Sequence, residues 1–426
     1  MKNKYILLVI SLLVFSCTKK DDANIVTNDR GEIEYLSYNW KVPLHFDGFE
    51  GPRYNPSFGF NMEIGGDVLI NTTNSEESRG ISKVHSETGE ILWTWSDMFQ
   101  PKTEDVSLSL PMTDGNVYSW VRGTRHYTID LETGESILRW RDPEGLSFGS
   151  RSVSFPFDRE SAYYVNTLRN ADGIKSAKLF RKNLLSSNYS VFLEAPYDTT
   201  LISDNKSVHS IFYPDYFKDE NLEYIVCTGA QPYSDFTSSI TLNLYCITTQ
   251  EWIYSMEPIT EAKQNNNGSL KVYDDKCYVT AGKEMFCYDI LSGEQIWKRD
   301  YSHDFTFSGF DIADDILVAN CENQICYGIN IETGAIKWES EGSGTSSLLR
   351  TRIMNGIVYF AGGGPAYLFA KDIQTGETIW RLDPLLYENN NGIWKSSLNV
   401  VPGKNGEPGK VIAVNSAFAY CFDAAR

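Results

Sequence analysis

Histidine is scarce in this 426-residue chain: five residues, His45, His85, His126, His209 and His303, none at metal-ligand spacing. No paired-His metal motif can be assembled from them. Basic residues are also short, 38 Lys and Arg against 56 Asp and Glu, giving a formal net charge of −18. That balance excludes nucleic acid as a partner, because phosphate binding needs clustered Lys and Arg; its simplest role is colloidal solubility. Apolar runs of about 18 residues, the length of a membrane-spanning helix, are absent. No two cysteines are adjacent, and no oxygen-rich cation loop of the EF-hand type occurs. Gly362-Gly363-Gly364-Pro365 lacks the Lys and following helix of a phosphate loop and reads as a hairpin turn. Carboxylates are abundant, but spacing alone pairs no two of them across a cleft for acid–base work.

The N-terminus is informative. Lys2 and Lys4 precede Tyr5–Phe15, eleven residues that are apolar except for Ser11. This run is too short to span a bilayer and has the length of a signal-peptide core. It ends in Val14-Phe15-Ser16-Cys17, which resembles a bacterial lipobox, with Phe15 bulkier than the usual residue there. The resemblance implies a signal peptide over 1–16 and a lipid on Cys17. Residues 17–29 are polar and read as a flexible tether. The charged tract Thr18-Lys19-Lys20-Asp21-Asp22 is either a solvated part of that tether or an export signal, similar to the tract that sends Bacteroidetes-type lipoproteins to the outer face of the outer membrane.

From there the chain repeats itself. Five segments share one pattern: His85-Ser86-Glu87-Thr88-Gly89 leading to Trp93, Asp130-Leu131-Glu132-Thr133-Gly134 leading to Trp140, Asp289-Ile290-Leu291-Ser292-Gly293 to Trp297, Asn330-Ile331-Glu332-Thr333-Gly334 to Trp338, and Asp372-Ile373-Gln374-Thr375-Gly376 to Trp380. Four of the five place Trp four residues after Gly, and successive glycines lie 45, 41 and 42 residues apart where the repeats adjoin. An alternating run such as Met285–Asp289 is a strand. Thr-Gly or Ser-Gly is a tight turn in which Gly takes a positive φ. Each period therefore holds about four short antiparallel strands, the blade of a β-propeller. The aromatic content of 13% fits pleated strands. The Trp residues are expected to wedge between blades, each burying on the order of 150–250 Å². The repeat Asp residues Asp130, Asp289 and Asp372 read as turn-stabilising side chains.

The 159 residues between Gly134 and Gly293 leave room for two degenerate repeats. One is Tyr245–Tyr254, with Gln250 at the glycine position and Tyr254 at the Trp position; the other is Leu179–Leu184. The last strand, Ala419–Asp423, precedes no turn, and Tyr38-Asn39-Trp40-Lys41-Val42 resembles the Ile-Trp-Lys outer strand at 296–298. An N-terminal strand carrying Trp40 is therefore expected to complete the last blade and remove the open edges. The expected fold is all-β: an eight-bladed β-propeller of four-stranded antiparallel blades over residues 30–426. Asp198–Asp235 departs most from the repeat, and is either a binding insertion or a degenerate blade.

Eight cysteines occur, and removing Cys17 for the lipid leaves seven. Cys246, Cys287, Cys326 and Cys421 share one face of a third strand, where Cys packs as a small hydrophobe. A Cys277–Cys287 disulfide is open on pairing grounds, the two lying on adjacent strands.

The Asp…Thr-Gly…Trp pattern resembles the pyrroloquinoline-quinone-like propeller repeats, over roughly residues 30–426. Chain size, lipobox and blade count are together most similar to the BamB family, lipoproteins of the outer-membrane β-barrel assembly machine. This resemblance implies a non-catalytic, membrane-anchored protein-interaction scaffold with outer-membrane or surface proteins as partners, on the periplasmic face or at the cell surface. A surface lipoprotein binding glycan or nutrient is the first alternative. A quinoprotein dehydrogenase is the second, disfavoured by the missing Cys-Cys pair and cation loop. No catalytic, cofactor or metal residue is assigned. The residues singled out are Cys17 for the lipid; Trp40, Trp93, Trp140, Trp297, Trp338 and Trp380 for blade docking; and the turn glycines Gly89, Gly134, Gly293, Gly334 and Gly376.

Overall fold

The computed structural model describes residues 25–45, 61–73, 78–104, 106–113, 116–121, 125–141, 152–169, 175–194, 196, 207–232, 237–263, 269–303, 305, 309–321, 323–342, 351–361, 367–387, 393–394, 398–415 and 417–425. Strands dominate. Three come first, β1 (Ile25–Thr27), β2 (Ile33–Leu36) and β3 (Trp40–Pro43), and join sheets built from later residues. The first sheet is β4 (Asn61–Ile64), β5 (Asp67–Thr73), β6 (Arg79–His85) and β7 (Ile91–Trp95). The second is β8 (Val106–Thr113), β9 (Asn116–Val121), β10 (Arg125–Asp130) and β11 (Ser136–Arg141). The third holds eight strands: β12 (Ser152–Phe155), β13 (Asp158–Arg169), β14 (Lys175–Asn183), β15 (Tyr189–Leu193), β16 (Ser207–Asp219), β17 (Leu222–Pro232), β18 (Thr237–Cys246) and β19 (Glu251–Lys263). The fourth is β20 (Leu270–Tyr273), β21 (Lys276–Ala281), β22 (Glu284–Asp289) and β23 (Gln295–Asp300). The fifth is β24 (Phe310–Ala313), β25 (Ile316–Asn320), β26 (Ile325–Asn330) and β27 (Ile336–Glu341). The sixth runs β28 (Arg352–Met354), β29 (Ile357–Ala361), β30 (Leu368–Asp372), β31 (Thr378–Leu382), and then β2 and β1 outside β31. The seventh is β32 (Leu398–Val401), β33 (Lys410–Val414) and β34 (Phe418–Asp423), completed by β3.

The propeller therefore has seven hydrogen-bonded sheets, and counted this way it is seven-bladed. The expectation of eight blades is corrected here. The two degenerate repeats between 152 and 263 do not make separate sheets, because β14 and β16 pair in parallel through Lys175 with Ser207 and Ser176 with Val208. That pairing fuses them into one eight-stranded sheet.

Burial follows position in the blade. Second strands such as β25 and β29 are buried along their whole length, because neighbouring sheets cover both faces. Outer strands such as β27 are mostly exposed, with Trp338 the buried exception. Innermost strands meet around the ring: β4 with β8, β8 with β12, β16 with β20, β24 with β28, β28 with β32, and β32 with β4. Apolar clusters fill the seams, for example Leu69, Ile81, Tyr127 and Ile129 between the first and second sheets, and Val318, Trp338, Phe360 and Phe369 between the fifth and sixth.

β3 pairs antiparallel with β34, Trp40 opposite Cys421, so residues near the start of the chain close the seventh sheet. β1 lies within the stretch read from polarity as tether. Asp198–Asp235 is described only in part, and the part seen is β16 and β17, two long paired strands. Residues 1–24, Cys17 among them, and the glycine run 362–364 lie outside the described residues. Among the described residues the one helical element is a 3-10 turn, Pro384–Leu386, capped by Asp383, whose carboxylate accepts the Leu385 N–H at 2.8 Å. No helix among them is long and apolar enough to cross a membrane.

Candidate interaction surfaces

The repeat turn is built by its Asp or Asn. In Asp289–Glu294 the Asp289 carboxylate accepts the Ser292 N–H at 2.8 Å and its hydroxyl at 2.7 Å, and the Ser292 hydroxyl oxygen accepts the Glu294 N–H at 3.2 Å. Asp130, Asn330 and Asp372 make the same bonds to Thr133, Thr333 and Thr375. Hydrogen bonds from the turn, led by the backbone N–H of Thr133 or Ser292, hold the Asp130 and Asp289 carboxyls below their ordinary range. The glycine then adopts a positive φ, 70° at Gly293 and 73° at Gly376. Gln250 takes the same left-handed conformation, φ 63°, where the degenerate repeat has lost its glycine.

Each such turn receives an aromatic ring from the preceding blade. The indole N–H of Trp40 donates to the Ser86 carbonyl at 2.7 Å, Trp93 to Leu131 at 3.0 Å, Trp297 to Ile331 at 2.7 Å and Trp338 to Ile373 at 2.8 Å. The Tyr254 hydroxyl donates likewise to Ile290 at 2.8 Å. The rings lie against Gly89, Gly134, Gly334, Gly376 and Gly293 in turn, close enough that a Cβ would come within 3.2 Å or less of a ring atom. The acceptor is always the residue after the repeat Asp, Asn or His, so one geometry recurs at five seams.

Two of the singled-out tryptophans behave differently. Trp380 packs beside Tyr359 at 5.7 Å in the seam between the sixth and seventh sheets, and among the described residues its indole N–H has no hydrogen-bond partner. The seventh sheet carries no Thr-Gly turn for it to sit under. Trp140 lies six residues after Gly134 and packs on His126 (5.2 Å) and Tyr189 (5.6 Å), with the Lys182 ammonium 4.8 Å from its ring centroid. Lys182 is fully buried and donates to the carbonyls of Asn183 and Ser186. Burial pushes the Lys182 ammonium down to about 8. Burial, aided by the Lys182 charge, holds His126 well below its usual range. A cation–π seam thus replaces the Trp–Gly dock. It was not legible in the sequence, because Lys182 reads as one more surface lysine on an alternating strand.

The inner wall is linked by polar contacts. Asp215 on β16 accepts the Val272 N–H of β20 at 2.8 Å, the Lys271 ammonium of β20 pairs with Asp311 of β24, and Arg352 of β28 donates to Asn399 of β32 at 3.4 Å. Burial pushes the Asp215 carboxyl up, against the hydrogen bonds from Val272 and Tyr216. The seven cysteines of the described chain are free thiols. Cys246, Cys287, Cys326 and Cys421 each pack in the seam toward the following blade. Cys277 faces the other side of its sheet from Cys287, which rules out their bridge. Their registry partners are Tyr288 and Tyr278, so they sit one position out of step.

The outer edge of the sixth sheet is covered from within the chain. β2 adds in parallel to β31, Ile33 aligned with Trp380, and the Asp383 N–H donates to the Glu34 carbonyl at 2.8 Å. Arg381 pairs with Glu34 and Glu341 at 3.3 Å and lies 4.4 Å from the Tyr367 ring centroid. Tyr387 holds Leu36 by both its backbone N–H and carbonyl at 3.1 Å.

These features define an all-β propeller whose blades dock through a turn glycine and an aromatic ring. The chain is a β-propeller whose repeats resemble the pyrroloquinoline-quinone-like ones: the family profile described as "Outer membrane protein assembly factor BamB" matches residues 249–426, less than half of the chain. Among solved structures it is similar to BamB from Moraxella catarrhalis (12% identity, 91% of this chain and 100% of that one, TM-score 0.56). It is also similar to Sqt1 of Saccharomyces cerevisiae (9%, 92% and 100%, 0.60) and to the quinohemoprotein alcohol dehydrogenase ADHIIG of Pseudomonas putida HK5 (10%, 92% and 77%, 0.58). At these identities the likeness is one of fold. No curated protein sequence matches the chain.

Proposed function

We propose that this chain is a non-catalytic, membrane-anchored interaction scaffold that acts in outer-membrane protein assembly in the manner of BamB. The observation that carries the reading is the seating of β2 on the outer edge of β31: a blade edge of this propeller accepts an extended segment through its backbone. The family match over 249–426 supports the same direction. A quinone cofactor with its cation is the competing expectation of the fold, and the described residues of the inner wall offer it no free set of donors. Asp215 and Asp311 are engaged by Val272 and Lys271. Among the described residues no three His, Cys, Asp or Glu side chains converge to hold a metal.

Anchoring rests on Cys17, which follows an apolar run of signal-peptide length. A lipoprotein Cys carries two or three acyl chains, enough for stable attachment, whereas one holds only marginally. Labelling cells with a palmitate analogue and fractionating them tests this. The parent should label and sediment with outer membranes, and Cys17→Ser should do neither while its propeller still folds. A Cys17→Ser protein that labels and partitions like the parent removes the anchor and the scaffold-at-the-membrane reading with it. Protease shaving of intact cells separates the periplasmic scaffold, which is protected, from a surface glycan or nutrient binder, which is lost. Co-purification with barrel-assembly components should accompany protection.

A further inference from the structure

β31 has a near copy elsewhere in the ring. Thr378-Ile379-Trp380-Arg381-Leu382-Asp383 and Gln295-Ile296-Trp297-Lys298-Arg299-Asp300 align without a gap, each beginning two residues after the turn glycine, and each strand is the outer strand of its four-stranded repeat. On β31 the position before Trp is partly covered, because Ile379 packs in the cluster that includes Ile33, Tyr35 and Leu36 of the added hairpin. On β23 the same position is open: Ile296 is 43% exposed, and β23 is the last strand of its sheet. In β31 the bond from the Asp383 N–H to Glu34 shows that this register aims backbone groups outward, and Asp300 stands at the matching place in β23. The Lys298 carbonyl also faces an accessible donor, since the flexible Arg299 guanidinium reaches it at 3.0 Å.

Charge agrees with strand addition of the same kind. Arg381 binds the carboxylates of Glu34 and, at 3.8 Å, Glu32, which flank the aligned Ile33. Lys298 takes the Arg381 position, partly exposed and paired within its own sheet with Glu284 at 2.5 Å, much as Arg381 also pairs with Glu341, and Arg299 adds an exposed cation that reaches the Thr333 carbonyl at 2.9 Å. The corresponding places in β7, β27, β11 and β3 do not carry two successive basic residues: they hold Thr94-Trp95, Glu339-Ser340, Arg139-Trp140 and Lys41-Val42, with the Lys41 ammonium 5.1 Å from the Phe418 ring centroid. An open, long-lived strand edge with an exposed Ile is an aggregation liability unless something uses it.

We propose that the outer edge of β23 is a docking edge for an extended segment of a partner protein that alternates apolar and acidic residues, added in parallel as β2 adds to β31. This rests on the scaffold reading and names the partner chemistry for it. Backbone hydrogen bonds supply affinity, Ile296 meets an apolar side chain, and Lys298 with Arg299 selects carboxylates.

The probe is a fluorescent peptide of residues 31–38, Gly-Glu-Ile-Glu-Tyr-Leu-Ser-Tyr, titrated against the purified full chain. Saturable binding is expected, at least tenfold weaker for Lys298→Glu with Arg299→Glu and for a peptide N-methylated at alternate residues. Replacing both peptide Glu by Lys should restore binding to the charge-reversed protein. Ile296→Lys, a change at an exposed position, gives a second variant if the charge reversal unfolds. Absence of binding, or binding indifferent to all these changes, overturns the proposal. Loss on Arg381→Glu but not on Lys298→Glu also overturns it, because the peptide is then displacing β2 from β31. Since this measurement uses purified protein, failure of the lipid anchor in cells leaves its result unaffected.

Discussion

The indole N–H of Trp338 donates to the Ile373 carbonyl at 2.8 Å while the same ring closes on Gly376, where a Cβ would lie 2.5 Å from Cδ2. Ring and turn belong to successive sheets, so this pair is a rivet between blades. Trp338→Ala should lose about 3–5 kcal/mol, the cost of removing a large buried aromatic. Trp338→Phe should lose about 1–3 kcal/mol, because packing is largely kept while a buried carbonyl loses its donor. Urea unfolding followed by far-UV circular dichroism measures both. Losses below about 1 kcal/mol for Trp338→Ala and also for Trp297→Ala and Trp40→Ala would mean that the rings do not rivet the seams.

Gly376→Ala tests the other half of the pair. Alanine at φ 73° is strained by about 1–2 kcal/mol, and its methyl group also meets the Trp338 ring, which adds about 1–3 kcal/mol of overpacking. Gly406 shares the positive φ, 86°, with open space around it, so Gly406→Ala should show the strain alone. Thermal melts of the two variants should therefore differ clearly, with Gly376→Ala the less stable. Equal melting temperatures would remove the ring contact.

The seam between the second and third sheets should respond to pH. Lys182 is pushed down to about 8 by burial, below its unfolded value of about 10.4. The unfolded chain therefore binds this proton first as pH falls. The Lys182 contribution to stability is present above about pH 10.4 and is lost as pH falls toward 8. His126 is lowered in the same sense, so its contribution is present above its unfolded value of about 6.5 and is lost on acidification below it. Lys182→Met should flatten the difference in unfolding free energy between pH 8 and 10, and His126→Phe should do so below pH 6.5. Curves parallel to the parent in those windows would contradict the assignment.

Arg381 should govern how firmly the added hairpin holds. Arg381→Ala removes the ion pairs to Glu34 and Glu32 and the stacking on Tyr367. Hydrogen exchange of the Glu34–Leu36 amides should quicken while the Trp40 seam stays protected. Unchanged exchange at β2 would show that Tyr387 and the backbone bonds suffice.

The repeat was legible because its chemistry is local. Asp or Asn, Thr or Ser, Gly and Trp each do one job in a turn or a dock, and their spacing survives in the string of letters. The seventh sheet shows the reach of such reading, since Trp40 in an Ile-Trp-Lys-like strand was enough to relate β3 to β34. Sheet number was not legible. It turns on two parallel bridges between β14 and β16, Lys175 with Ser207 and Ser176 with Val208, which no turn signal announces. Nor was the β1–β2 hairpin: Ile25–Thr27 falls in the stretch read as tether, and no local signal joins Glu34 to Arg381, some 350 residues later. The buried Lys182 was hidden for the same reason: burial of a charge is a property of the neighbours.

Asn39 donates to the Asp423 carboxylate at 2.9 Å across 384 residues of sequence, and this contact accompanies the pairing of β3 with β34. The ribosome makes β3 among the earliest strands and its partner among the last. During synthesis β3 therefore waits unpaired until β34 has been made. The interval between the two is a window of exposure, in which an unclosed circle presents raw edges at both ends to whatever chaperone or protease is near.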